Sequence, residues 1–355
     1  MLSKDLNRNI ETLKNTFKDC DDIVYRFIEI GDTNKVQACL VYTDGLINKD
    51  VISEFVIYAL FIANEGGDFN LSKFKSNLLD TISKEAMTIA EVKEEENMDK
   101  IVDNILIGET MFLVDKTDTA LTLSTRGWPT RIVGEPETET VVRGPRDGFT
   151  ETLKFNTTFI RRRIRDARLK IKNIQIGRRS KTDVAIMYIE DIVNDDLLKE
   201  VKKRLDKIDI DGILDSSMLE HLIEDNYLSP FPQIENTERP DTAAAAIYEG
   251  RVVIAVDNTP FVLMVPATLG TLLQTAEDYY SRWTIASMIR LLRILCAFLS
   301  TLAPALYIAI TSFHPGLIPT RLTYYLAASR INVPFPAVVE AFLMEITIEI
   351  IREAG

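Results

Sequence analysis

The hydrophobic and polar positions of this 355-residue chain follow a helical period at its start and a strand period soon after, and near its end they follow neither. Leu6, Ile10, Leu13 and Phe17 recur at spacings of four, three and four between mainly polar residues, which predicts an amphipathic helix, followed by a short strand ending near Ile28 and Ile30. Next comes VQACLVYTDGLINKDVISEFVIYALF. It reads as an apolar strand from Val36 to Tyr42, a turn at Asp44-Gly45 and a helix from Asp50 onward. Asn48 and Asp50 put polar and acidic groups where a helix start favours them. Residues 124–149 are too rich in Gly and Pro for one long element. From Glu151 to Lys172 a single helix is predicted, with Leu153, Ile160, Ile164, Ala167 and Ile171 on one face.

The strand-turn-helix unit recurs. Tyr188 to Leu197, YIEDIVNDDL, aligns with Tyr42 to Val51, YTDGLINKDV, at an offset of 146, and Gly250 to Asn258 aligns with Gly108 to Lys116 at an offset of 142. Both copies of the second segment run from a strand into an aspartate, Asp115 or Asp257. Two near-equal offsets point to tandem duplication, against the plainer alternative of chance agreement between common strand-turn patterns. The expected fold class is therefore α/β: two tandem duplicated small α/β subdomains, then a C-terminal α-helical transmembrane region. The expected divisions are an N-terminal helix at 1–31, subdomains at 32–140 and 155–270, a linker at 141–154, a membrane-approach helix at 271–293 and the transmembrane region at 294–355.

Ile294 to Phe313 carries no charge over twenty residues, the length of one bilayer crossing, and is broken only by Pro304. A buried core helix is the alternative, but such helices are usually shorter and amphipathic. Tyr279, Tyr280 and Trp283 precede the run as interfacial rings, and Arg282, Arg290 and Arg293 line its N-terminal edge, against Arg321 and Arg330 beyond it. That bias, with a polar N-terminus lacking a signal-peptide core, places the long N-terminal region in the cytoplasm. The last segment, Val333 to Arg352, is apolar but carries Glu340, Glu345 and Glu349. On a helix Glu345, Glu349 and Arg352 share one side and Glu340 points elsewhere, which makes it the weaker candidate. Carboxylates at membrane depth face protein or a watery cavity, so these three are candidates for a cation path. The competing reading is an interfacial or subunit-packing helix whose acids pair with Arg352, Arg321 or Arg330.

Composition narrows the function classes. The formal charge of -12 argues against general nucleic-acid affinity, and Cys20, Cys39 and Cys296 are too few and too scattered for a disulfide framework. With His221 and His314 alone and no Cys/His clusters, no metal site and no cofactor is implied. Within this acidic chain, Arg143 to Lys181 holds thirteen basic against three acidic residues. Arg161, Arg162, Arg163 and Arg165 form the candidate basic surface, read either as a contact for phosphate or anionic lipid or, preferably, as a face that pairs with acidic surface of a neighbouring subdomain or subunit. Asp44, Asp50, Glu190, Asp191, Asp195 and Asp196 could hold Mg²⁺ in an enzyme, but no phosphate loop or nucleophile-base spacing accompanies them. They are expected to be helix caps, and no catalytic residue is expected.

The stretch Leu228 to Pro266, with its combination of SPFPQ, TERPD, EGRV, VDNTPF and VLMVP, resembles the A-subunit family of bacterial spore germination receptors, the GerA type. Further matches are Val41 to Leu46 (VYTDGL), Ser124 to Gly127 (STRG), Arg143 to Glu151, Arg161 to Arg163, Glu277 to Trp283 (EDYYSRW) and Pro334-Phe335-Pro336. The resemblance runs from about residue 30 to the end. It implies a cytoplasmic two-subdomain head on a membrane domain in the spore inner membrane, a homo-oligomeric ring of A-type subunits that conducts ions, and B-type and C-type partner subunits. Family members continue into further membrane helices beyond Gly355, so the chain is expected to be a fragment or to be completed by further copies and partners. The alternative function is a cytosolic α/β ligand-binding or metal-binding module with no membrane role.

Overall fold

Runs of β-branched, aromatic and small apolar residues form central strands that are covered on both faces, flanked by outer strands that are partly exposed. The computed structural model describes residues 2–30, 36–53, 92–127, 135–136, 138–226, 228–229, 231–330 and 335–354. The chain divides into two units, Met1–Leu272 and Leu273–Gly355.

The first unit holds two antiparallel sheets. One comprises β1 (Ile23–Ile30), β2 (Val36–Thr43), β3 (Val92–Glu95), β4 (Thr110–Val114) and β5 (Ala120–Leu123), in the order β1-β2-β4-β5-β3. The other comprises β6 (Leu169–Ile176), β7 (Thr182–Ile189), β8 (Glu235–Thr237), β9 (Val252–Val256) and β10 (Val262–Val265), in the order β6-β7-β9-β10-β8. The topology is the same in both. The offset of 146 separates β1 from β6 and β2 from β7, and the offset of 142 separates β4 from β9 and β5 from β10.

Successive residues of the inner strands feed two cores, as the period of two demands. In the first sheet Cys39, Val41, Met111 and Leu113 pack against α1 (Leu6–Thr16) and α2 (Met98–Ile107). Leu40, Phe112 and Leu121 pack on the other side with Val51 and Ile52, from the helix that starts at Lys49-Asp50. In the second sheet Ala185, Met187, Val253 and Ala255 meet α3 (Leu153–Arg163), while Val184, Ile186, Val252 and Ile254 meet α4 (Asp195–Asp206) and α5 (Ser216–Ile223). Helix α6 (Pro240–Tyr248) joins α3 on its side through Ala243 and Ile247.

The duplicated polar residues perform duplicated tasks. Asn48 Oδ1 accepts the Asp50 N–H at 3.0 Å, and Asn194 Oδ1 accepts the Asp196 N–H at 2.9 Å, so each caps the helix after the second strand of its sheet. Asp115 Oδ1 accepts the N–H of Leu6 at 3.3 Å, and Asp257 Oδ1 accepts that of Leu153 at 2.9 Å. Each aspartate thus tethers the first helix of its repeat to the end of a central strand. Gly108 and Gly250 adopt left-handed φ values of 97° and 84° where a side chain would press on the carbonyls of Leu46 and Ile192, 146 residues apart.

Three features differ from the sequence expectations. The helix expected over Glu151–Lys172 ends at Arg163, with Ile164 extended, and Leu169 onward is strand β6. Leu169 and Ile171 are buried at a spacing of two, which suits a strand, whereas the helical pattern uses Ile171 with Ile164 and Ala167. Segment 1–31 holds the expected helix α1 and the expected strand β1, but the expected divisions set it apart from the first subdomain, whereas β1 pairs with β2 over its whole length as the edge of the first sheet. Helix α3 begins at Leu153, inside the segment expected to be linker. The continuation of the helix after Ser53 lies outside the described residues.

In the second unit α7 (Trp283–Ser312) begins eleven residues before the uncharged run and holds all of it but Phe313, its C-cap; α8 (Thr320–Arg330) and α9 (Ala337–Ala354) follow. The most apolar window of α7 is 0% buried.

Candidate functional site

Two places gather the candidate residues. The first is the junction between the repeats, where the loop before β1 lies on the open edge of β6. Cys20 and Ile171 form a parallel bridge: Asp21 N–H donates to Ile171 O at 2.9 Å and Ile171 N–H to Asp19 O at 3.2 Å. Asp21 Oδ2 also accepts the Asn173 N–H at 2.8 Å. Behind this bridge lies Arg161, 0% exposed. Its Nε and Nη2 donate to the two carboxylate oxygens of Asp22 at 2.7 and 2.9 Å, and its Nη1 donates to Asp166 O and Leu169 O, both at 3.1 Å. Burial disfavours the guanidinium charge, but the adjacent carboxylate outweighs it and raises the pKa. Cys20 Sγ lies 3.4 Å from Leu169 O, and burial raises the thiol pKa, which makes it a poor nucleophile.

Arg161 is therefore no part of a basic surface, and the reading that included it there is corrected: α3 presses its last turn against the first repeat. Arg162 and Arg163 are half-buried and Arg165 is exposed. Arg163 holds Asp147 with bonds of 2.7 and 2.6 Å. Elsewhere in the band, Lys170 meets Glu190 at 3.3 Å, Lys172 meets Asp21 at 3.5 Å, and Lys154 pairs with Asp44. The positive charge is largely compensated within the unit. Likewise Asp191 accepts from Arg168, while Asp195 and Asp196 lie in the first turn of α4.

Sequence reasoning missed Arg239, from the TERPD stretch, which is 1% exposed. It donates to Glu139 O at 3.2 Å, to Pro145 O at 3.1 Å and to Asp241 Oδ2 at 2.8 Å, fastening the inter-repeat loop to the start of α6. Glu139 Oε2 in turn accepts from Thr237 Oγ1 at 2.5 Å and Glu238 N–H at 3.2 Å. An arginine preceding a helical Pro is the only signal the sequence offers there.

The second place is the second unit. Arg293, expected as an edge charge, donates to Leu273 O at 2.6 Å and Asp278 Oδ2 at 2.9 Å, and Arg290 Nε lies 3.6 Å from the same carboxylate. Burial opposes the Asp278 charge, but these arginines hold its pKa below the ordinary value. Of the three glutamates on α9, Glu345 and Glu349 are exposed and Glu349 pairs with Arg352 one turn on. Glu340 is half-buried, with Oε2 shielded. The acid expected to matter least is thus the one turned inward.

Three comparisons with known proteins bear on this arrangement. The family model described as "Bacillus/Clostridium GerA spore germination protein" matches residues 11–355. Spore germination protein KA of Bacillus subtilis (strain 168) is 42% identical over 355 residues, covering 100% of this chain and 64% of its own length. Spore germination protein B1 of the same organism is 40% identical over 358 residues, covering 100% and 71%. Stage V sporulation protein AF, also from that organism, is 34% identical over 321 residues, covering 89% and 62%. This chain spans about two-thirds of the length of these curated relatives. Among solved structures, the N-terminal domain of the A subunit of the Bacillus megaterium spore germinant receptor GerK3 matches with a TM-score of 0.57 and 33% identity, over 76% of this chain and 97% of that one.

Proposed function

The chain belongs to the Bacillus/Clostridium GerA spore germination protein family, and we propose that it acts as an A-type subunit of a germinant receptor in the spore inner membrane. One observation carries this reading: a doubled α/β head like the GerK3 A-subunit domain is continuous with a 30-residue helix whose most apolar stretch is not buried within the chain. Water is a poor solvent for such a helix, and lipid covers it. In this reading the head lies on the cytoplasmic side. Copies of the chain assemble with B-type and C-type subunits into a nutrient-gated assembly. Glu340, Glu345 and Glu349 line or gate a cation path, because carboxylates at that depth need protein or water beside them. The head's acidic turns are used in the first turns of Asn-capped helices and in ion pairs, and no catalytic role is proposed for them.

The test is fractionation of spore membranes. The protein should leave the inner membrane only with detergent, as a multimer that copurifies with the other receptor subunits. Recovery as an aqueous monomer would overturn the reading.

A further inference from the structure

The second repeat carries an exposed apolar loop. Asn226 to Gln233 reads NYLSPFPQ, eight residues without a charge. Leu228 is 75% exposed and Phe231 68% exposed. The loop is held at its base: Gln233 Oε1 accepts the Asp225 N–H at 2.8 Å, and Gln233 O accepts the Ala267 N–H at 2.8 Å. Ser229 Oγ accepts the Phe231 N–H at 3.2 Å and stiffens the tip. The nearest acid, Asp225, is engaged by Arg204. Leu269, two residues past Ala267, adds a further side chain that is 69% exposed.

The covalent chain limits how far this loop stands from the span. Within the second unit, Leu273 O is bonded to Arg293, the residue immediately before the uncharged run. Leu273 lies six residues past Ala267, a reach of about 21 Å at full extension. We propose that Leu228 and Phe231 insert into the interfacial layer of the same bilayer that α7 crosses. The chemistry fits zwitterionic or neutral lipid: aromatic and aliphatic side chains suit the headgroup boundary, and Asn226 to Gln233 carries no cation to seek anionic headgroups. This inference rests on the membrane reading above.

The full chain, reconstituted in phosphatidylcholine vesicles, provides the test. Cys20 and Cys39 are buried and Cys296 is exposed on α7, so a nitroxide on native Cys296 reports on the span. In a Cys296→Ser background, Leu228→Cys and Phe231→Cys carry the label to the loop, and Asp196→Cys on α4 supplies an aqueous reference. The loop labels should collide severalfold more with oxygen, relative to a water-soluble nickel chelate, than the reference does. Their depth should be about 5–10 Å, independent of salt. Loop labels that behave like the reference, while Cys296 is shielded from the chelate, overturn the inference and leave the membrane reading standing. Loop labels shielded from both reagents mean protein cover, which also overturns it. An aqueous Cys296 overturns both together.

Discussion

Arg161 and Asp22 lie 139 residues apart in sequence and meet through two parallel hydrogen bonds in a site closed to water. Removing one partner strands a buried charge, so Asp22→Ala should cost the isolated 1–272 unit about 3–5 kcal/mol. Arg161→Lys should also destabilise it, because an ammonium cannot grip both oxygens and two carbonyls in one plane. Urea denaturation of this unit, whose relative was solved as a separate domain, measures both. An unchanged midpoint for Asp22→Ala would show that the ion pair does not hold the repeats together.

Gly45 turns at φ +89° in the Asp-Gly turn after β2, and a Cβ there would lie 2.1 Å from Thr158 Oγ1 on α3. Gly45→Ala combines backbone strain with a clash across the repeat junction and should cost about 1–3 kcal/mol. Adding Thr158→Ala should recover the steric part and leave the backbone part. Equal stability of the single variant and the parent would contradict the close approach.

Glu139 is pushed above the ordinary carboxylate pKa by burial, in spite of its hydrogen bonds from Thr237 and Glu238. The folded unit therefore holds this proton more tightly than the unfolded chain. The sign follows: as pH rises from the ordinary carboxylate range through the raised value, stability falls. Thermal unfolding of 1–272 against pH should show this decline, and Glu139→Gln should flatten it. A slope unaffected by the substitution would assign the decline elsewhere.

Glu340 is half-buried with a shielded oxygen, whereas Glu345 and Glu349 face outward in the isolated chain. Glu340→Gln should slow monovalent ion release from germinating spores severalfold. The double variant Glu345→Gln, Glu349→Gln reports whether the outer acids reach the path once copies assemble. Normal release from all of these variants, at normal protein levels, would remove the glutamates from the conduction path.

The duplication was legible because it is written in residues that cannot be exchanged freely: a capping Asn, an Asp that tethers a helix, and a Gly with left-handed φ recur at fixed offsets. The extent of α3 was not. Residues such as Ile164, Ala167 and Ile171 satisfy the helical period while Leu169 and Ile171 satisfy the strand period, and only pairing with β7 decides between them. The burial of Arg161 was hidden for a different reason, since its counter-charge comes from the other repeat and a local window shows only a run of arginines. The inward turn of Glu340 likewise depends on neighbouring helices rather than on its place in the wheel.

The short bridge from Asp19 to Asp21 onto β6 gives the two halves unequal independence. The second half borrows its outer border from residues made long before it, so on the ribosome the protecting stretch is already waiting when Ile171 emerges. Severed from its sibling, that half would display naked amides at Ile171 and Asn173, a docking rail for any stray extended peptide, whereas the first half would keep the Asp19–Asp21 stretch along with its five strands.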